Sequence, residues 1–88
     1  MLVAMGSLRF SGVRFVAYAM DHEPRHVHGF YAEVEVIVDL RAGGTVSLAD
    51  RDDATRPLNG SKSDVRHVLE MAAEYFDELV RLWEKHHG

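Results

Sequence analysis

The 88-residue chain predicts an α+β domain: a three- or four-stranded antiparallel sheet, a meander, with one long C-terminal helix packed on one face. Three observations carry that expectation. Val34, Val36, Val38 and Leu40 alternate with Glu35 and Asp39, the pattern of a strand buried on one side only. Arg41-Ala42-Gly43-Gly44 then offers two glycines where a tight reversal needs positive φ. Between Val65 and Trp83 the apolar residues recur at helical spacing, and such a stripe must be buried against another element.

The elements follow in order within a single domain, 1–88. Met1 to Met5 is apolar but too short for a signal-peptide core, so residues 1–7 are expected as a disordered or loosely attached N-terminus. Val13 to Met20 is rich in β-branched and aromatic residues without a helical period and reads as a strand. Val13, Phe15, Ala17 and Ala19 share one of its faces, and Val16, Tyr18 and Met20 the other. Pro24 forbids a helix interior, so the chain turns there and extends again from His26 to Tyr31. After a bend at Ala32 and Glu33 comes the valine strand, and Thr45 to Leu48 is a short return strand. Residues 49–61 form a polar loop whose acids lack the glycine and spacing of a calcium loop. Ser61 with Asp64, or Ser63 alone, caps the helix, whose inner stripe is Val65, Val68, Leu69, Ala72, Phe76, Leu79, Val80 and Trp83. Met71, Tyr75 and Leu82 broaden that stripe, while Glu70, Glu74 and Glu78 make a solvated outer face.

Composition narrows the function. With 47% hydrophobic and 27% charged residues the chain is an ordinary globular protein. A net charge of −4 and a pI near 5.8 do not favour nucleic acid, which calls for a basic patch. With no cysteine there is neither a disulfide nor a thiolate zinc site, and His, Asp and Glu are the strong metal ligands left. No apolar run approaches the ~18 residues of a membrane span, and a cytoplasmic location is expected.

Chemistry concentrates in Asp21-His22-Glu23-Pro24-Arg25-His26-Val27-His28. His26 and His28, two apart on a strand, share a face, and His22 or Asp21 can close a site from the turn. Such a site suits Zn, Ni or Fe, with Asp21 orienting one imidazole, and its affinity falls as the imidazoles protonate. The same run also fits metal-free acid, base or phosphate-donor roles. A third reading is purely structural, with Asp21 capping the turn and the imidazoles bonded to neighbours. His67 lies at the boundary of the helix stripe, and His86 and His87 suit an exposed helix C-terminus. No nucleophile elbow or glycine-rich phosphate loop is present.

Phe10, Gly12 and Val13 before a strand, the D-H-x-P-x-H-x-H run, a valine strand, a glycine hairpin and a helix ending with Glu78, Leu79 and Trp83 occur in that order from about Leu8 to Trp83. The chain thereby resembles a family of small bacterial proteins catalogued as domain of unknown function 4160. That family shows a second proline and an aromatic where Arg25 and Val27 stand here. The resemblance implies a component of a two-gene module of the toxin–antitoxin kind, with no established activity.

The function expected is therefore a small binding or regulatory protein, one half of a toxin–antitoxin-like pair. It would meet a protein partner or a second copy through the sheet face of Val16, Tyr18, Met20 and Ile37. The alternative is a metal-dependent or histidine-based hydrolase, including a ribonuclease. Its catalytic candidates are His22, His26, His28 and Arg25, with Arg9 and Arg14 as further cations.

Overall fold

Six strands form one antiparallel sheet, and two helices lie across one of its faces in the computed structural model, which describes residues 4–18 and 20–87. Strand β1 (Ala4–Phe10) turns into β2 (Val13–Tyr18) through Ser11 and Gly12, both at positive φ (48° and 82°), as a two-residue hairpin demands. Strands β3 (His26–Tyr31) and β4 (Val34–Leu40) are joined by Ala32 and Glu33, with Ala32 at φ 51°. A 3-10 turn over Ala42–Gly44 leads to β5 (Val46–Leu48). The strands run in the order β1-β2-β3-β4-β5, the expected meander, and a two-residue β6 (Thr55–Arg56) pairs with β4 beside Glu35 and Val36.

The sheet is thus larger than the sequence predicts, for two reasons. Residues 4–7 are not loosely attached: Ala4 pairs with Tyr18 and Ser7 with Val16, and β1 satisfies the edge of β2 while packing Leu8 and Phe10 on the core. Ala4, Met5, Leu8 and Phe10 are spaced too irregularly around Gly6 and Ser7 to announce a strand. The polar loop 49–61 likewise contains β6, with Ala54 buried ahead of it and Asp53 bonded by Arg51 and Arg56. Met1 to Val3, Ala19 and Gly88, and the side chains of Ala4, Met5, His86 and His87, lie outside the described residues.

The C-terminal helix is two helices, α1 (Lys62–Glu74) and α2 (Phe76–His87), separated at Tyr75. Ser61 Oγ accepts the Asp64 N–H at 3.4 Å, the expected cap. A straight helix from Lys62 to His87 would run about 39 Å. The molecule's longest dimension is 33 Å, so one straight helix of that length would outrun it. There α1 covers β3, β4 and β5, and α2 reaches β1 and β2. Among the described residues no helix is long and apolar enough to cross a membrane.

The core lies between helices and sheet: Val13, Phe15 and Ala17 from β2, Val27 from β3, Val34, Val36, Val38 and Leu40 from β4, and Val68, Ala72, Leu79 and Leu82 from the helices. Gly29 sets the spacing, because a Cβ there would sit 2.6 Å from Val68 Cγ1. The opposite sheet face, which the sequence predicts as an interface, is not an open apolar surface. Val16 and Ile37 are only 0% and 2% exposed, while Met20 stands out at 64%. The chain after β5 closes over Ile37: its N–H donates to Ala54 O at 2.8 Å, and its carbonyl accepts from Ala49 at 3.0 Å.

Candidate metal centre

On the face away from the helices, strand alternation sends His26 and His28 outward while Val27 and Gly29 face the core. His28 is flanked in register by Val16 on β2 and Ile37 on β4, both buried, so its imidazole stands in the middle of the sheet. His26 is opposite Asp39, and its ring lies 5.3 Å from that of Trp83. Both histidines are 8% exposed.

The turn after β2 brings the third group. Asp21 N–H donates to Tyr18 O at 3.1 Å, and Asp21 Oδ2 accepts the Tyr18 N–H at 3.1 Å, which folds the side chain back over β3. Asp21 Oδ1 then lies 3.4 Å from His26 Nε2, and Oδ2 lies 3.5 Å from His28 Nε2. One donor atom from each of Asp21, His26 and His28 falls within 4.8 Å of the other two.

The remaining ring nitrogens decide what those distances mean. His26 Nδ1 is 2.9 Å from Pro24 O, and His28 Nδ1 is 3.0 Å from Glu35 Oε2. A carbonyl and a carboxylate only accept, so each Nδ1 carries the proton, and in the neutral ring each Nε2 is a bare lone pair. His28 Nε2 is buried and has no hydrogen-bond partner among the described residues. Two lone pairs therefore confront a carboxylate, an arrangement that repels unless a cation lies between. Protonated imidazoles would draw the carboxylate to about 2.8 Å. Both separations to Asp21 are longer than that, and the three residues' donor atoms stand close enough together that one ion could be shared among them.

The surroundings complete the site. The Tyr18 ring meets His28 edge-on at 4.8 Å; burial, followed by the charge of Glu35, pushes its phenol pKa up, so at neutral pH it is a neutral neighbour and not a base. A cavity of about 550 Å³ opens beside the group, with Asp21, His26, Ile37 and Asp39 in its wall.

The sequence candidates separate cleanly. Asp21, His26 and His28 converge, but Asp21 does so as a would-be ligand, and orienting an imidazole falls to Glu35 instead. His22 is exposed on the cavity wall and is not part of the group. Arg25 turns away: its Nε donates to Leu40 O at 2.7 Å and its guanidinium lies over Phe76. Arg14 stacks on Phe30, with Arg9 opposite it on β1, one row of the sheet away from His28. The sequence pattern does not single out Glu35 and Asp39, which look like the polar side of an ordinary strand. The two-residue turn at Ala32 and Glu33 is the signal that could find them, because it fixes the register that sets Glu35 diagonal to His28 and Asp39 opposite His26.

The model of the family described as Domain of unknown function (DUF4160) matches residues 12–84. The chain belongs to that family. The matched span contains Asp21, His26, His28 and Glu35 as well as Trp83, so the whole group lies within the DUF4160 region. No curated protein and no solved structure matches the chain significantly. Membership in DUF4160 brings no activity, so any function must come from the geometry of the group itself.

Proposed function

We propose that this DUF4160 protein binds a divalent transition metal, Zn, Ni or Fe, through Asp21, His26 and His28, and that the ion's open positions face the adjoining cavity. One observation carries the reading: two imidazole Nε2 atoms, each left bare by a proton acceptor at its own Nδ1, meet one carboxylate at 3.4 and 3.5 Å. Two His and one carboxylate with positions to spare suit non-haem Fe(II), and Zn and Ni also accept imidazole. Held there, the ion would supply Lewis acidity and activate a water, which supports a hydrolytic role. The protein's part is to hold the tautomers through Pro24 and Glu35 and to keep the ligands dry.

Calorimetric titration of the untagged protein with zinc and nickel tests this. One equivalent should bind, His26→Ala, His28→Ala and Asp21→Asn should each lose affinity by at least about a hundredfold, and His22→Ala should keep it. Affinity should fall with pH, because a protonated Nε2 cannot coordinate. Equal, weak uptake by the parent and all variants would reject the site and leave the run as a structural turn.

We propose further, as the resemblance read from the sequence implies, a place in a toxin–antitoxin-like pair, with a protein partner or a second copy. The large apolar side chains open to such a contact are Met20, Leu48 and Leu58, at 64%, 42% and 80% exposure, and not Val16 or Ile37. Co-expression with the adjacent open reading frame, and light scattering of the chain alone, test this separately. A strict monomer that captures nothing would end it.

A further inference from the structure

Asp39 is the carboxylate that the proposed site leaves unused. It is 7% exposed and projects from β4 opposite His26 on one side and Ser47 on the other. Three neighbouring carboxylates are engaged: Asp21 by the Tyr18 N–H, Glu35 by His28, and Asp53 by Arg51 and Arg56. No hydrogen bond or ion pair reaches the Asp39 side chain from the described residues. A carboxylate that no side chain pairs, in a residue only 7% exposed, is available to a ligand that enters the cavity it lines.

Its surroundings say what that is. Asp39 lines the cavity of about 550 Å³ beside the metal group, within the size range of small-molecule sites. Glu23 and Asp50 also line it, and the one Lys or Arg in its wall, Arg51, is spent on Asp53. The field in the cavity is therefore negative, and a phosphate or carboxylate entering would meet like charge on several sides. A second metal ion is not the answer: among the described residues, Asp21, His26 and His28 are the one set of His, Asp or Glu donors that converges at ion-binding distance. Carboxylates spread around a cavity suit a cation with a body. Ile37, Ala49 and Met20 supply the apolar wall for that body.

We propose that this cavity takes a small organic cation, a primary amine with a short alkyl chain, whose ammonium group is held by Asp39 and whose other end reaches the Asp21–His26–His28 group. The approach to the ion rests on the metal reading, whereas the ammonium contact does not, since the carboxylates are present with or without an ion.

The probes are butylammonium, butanol and butyrate, equal in length and different in charge. Each is titrated into the isotope-labelled full chain with and without one equivalent of zinc, following the backbone amides of Asp39 and of Ala49 to Arg51 by NMR. Butylammonium should bind at least about tenfold more tightly than butanol and butyrate more weakly than either, and Asp39→Asn should reduce butylammonium to the butanol level. Asp39→Asn should also be at least as stable to heat as the parent, because it removes an unpaired charge while keeping the shape. Butylammonium binding no better than butanol, or a preference unchanged in Asp39→Asn, overturns the proposal, and so does a variant that unfolds, which would make Asp39 a structural group. Failed zinc uptake with the ammonium preference intact overturns the metal reading alone; zinc uptake without the preference overturns the amine.

Discussion

Removing the Glu35 carboxylate is the sharpest test of how the imidazoles are held. The Nδ1 acceptor of His26 is the Pro24 carbonyl, which no side-chain substitution deletes, whereas that of His28 is Glu35 Oε2 at 3.0 Å. In Glu35→Ala the His28 ring loses the partner that keeps the proton on Nδ1, and part of the metal's binding energy must be spent on choosing the tautomer. A hydrogen bond to a charged group contributes about 1.5–3 kcal/mol. Loss of a group that orients a metal-bound histidine typically costs about 10–100-fold in affinity, equivalent to about 1.4–2.7 kcal/mol. Because the Glu35 side chain is 23% exposed, water can replace part of the contact, and the expected loss lies nearer tenfold than a hundredfold. Glu35→Gln keeps an acceptor oxygen without the charge and should lose less than Glu35→Ala. Competition against a chelator of known zinc affinity measures both, with thermal unfolding as the check that the variants fold. Glu35→Ala within twofold of the parent would refute the orienting role, and an equal loss in Glu35→Gln would show that charge, not orientation, is what Glu35 supplies.

Gly29→Ala should destabilise by about 1–3 kcal/mol, because its Cβ would lie 2.6 Å from Val68 Cγ1 and 3.1 Å from Phe15 Cε1 in a packed core; a denaturation midpoint within error of the parent would show that α1 yields freely. Trp83→Ala, at a residue 3% exposed, should cost about 3–5 kcal/mol on the same measurement, and an unchanged midpoint would place the indole in solvent. The guanidinium groups of Arg51 and Arg56 hold the Asp53 carboxyl well below the usual carboxylate range. A depressed carboxylate stabilises the fold above its unfolded pKa of about 4 and loses that contribution as pH falls below it. Asp53→Asn should therefore flatten the acid side of the stability curve by a small amount, as befits exposed ion pairs, and a parallel curve displaced equally at pH 3 and pH 7 would contradict this.

Alternation and turn chemistry make β2, β3 and β4 legible in the residues themselves, because a strand half buried on a helix must place its valines every second position. The same parity by itself puts His26 and His28 on one face, and helical spacing alone places the apolar stripe of Val68, Ala72, Leu79 and Trp83 on the side that is buried. Three things depend on contacts between distant residues, which no local pattern encodes. Strand β1 exists because β2 offers it an edge, and the helix divides at Tyr75 where helical spacing alone runs on unbroken. The membership of the site is the third: Asp21 joins and His22 does not, through a turn closed by Tyr18, and Glu35 enters from another strand through register. Local sequence states which donors are available; only the tertiary fold decides which lone pairs meet, since a hydrogen bond or a metal ligand depends on tenths of an ångström that spacing along the chain does not carry.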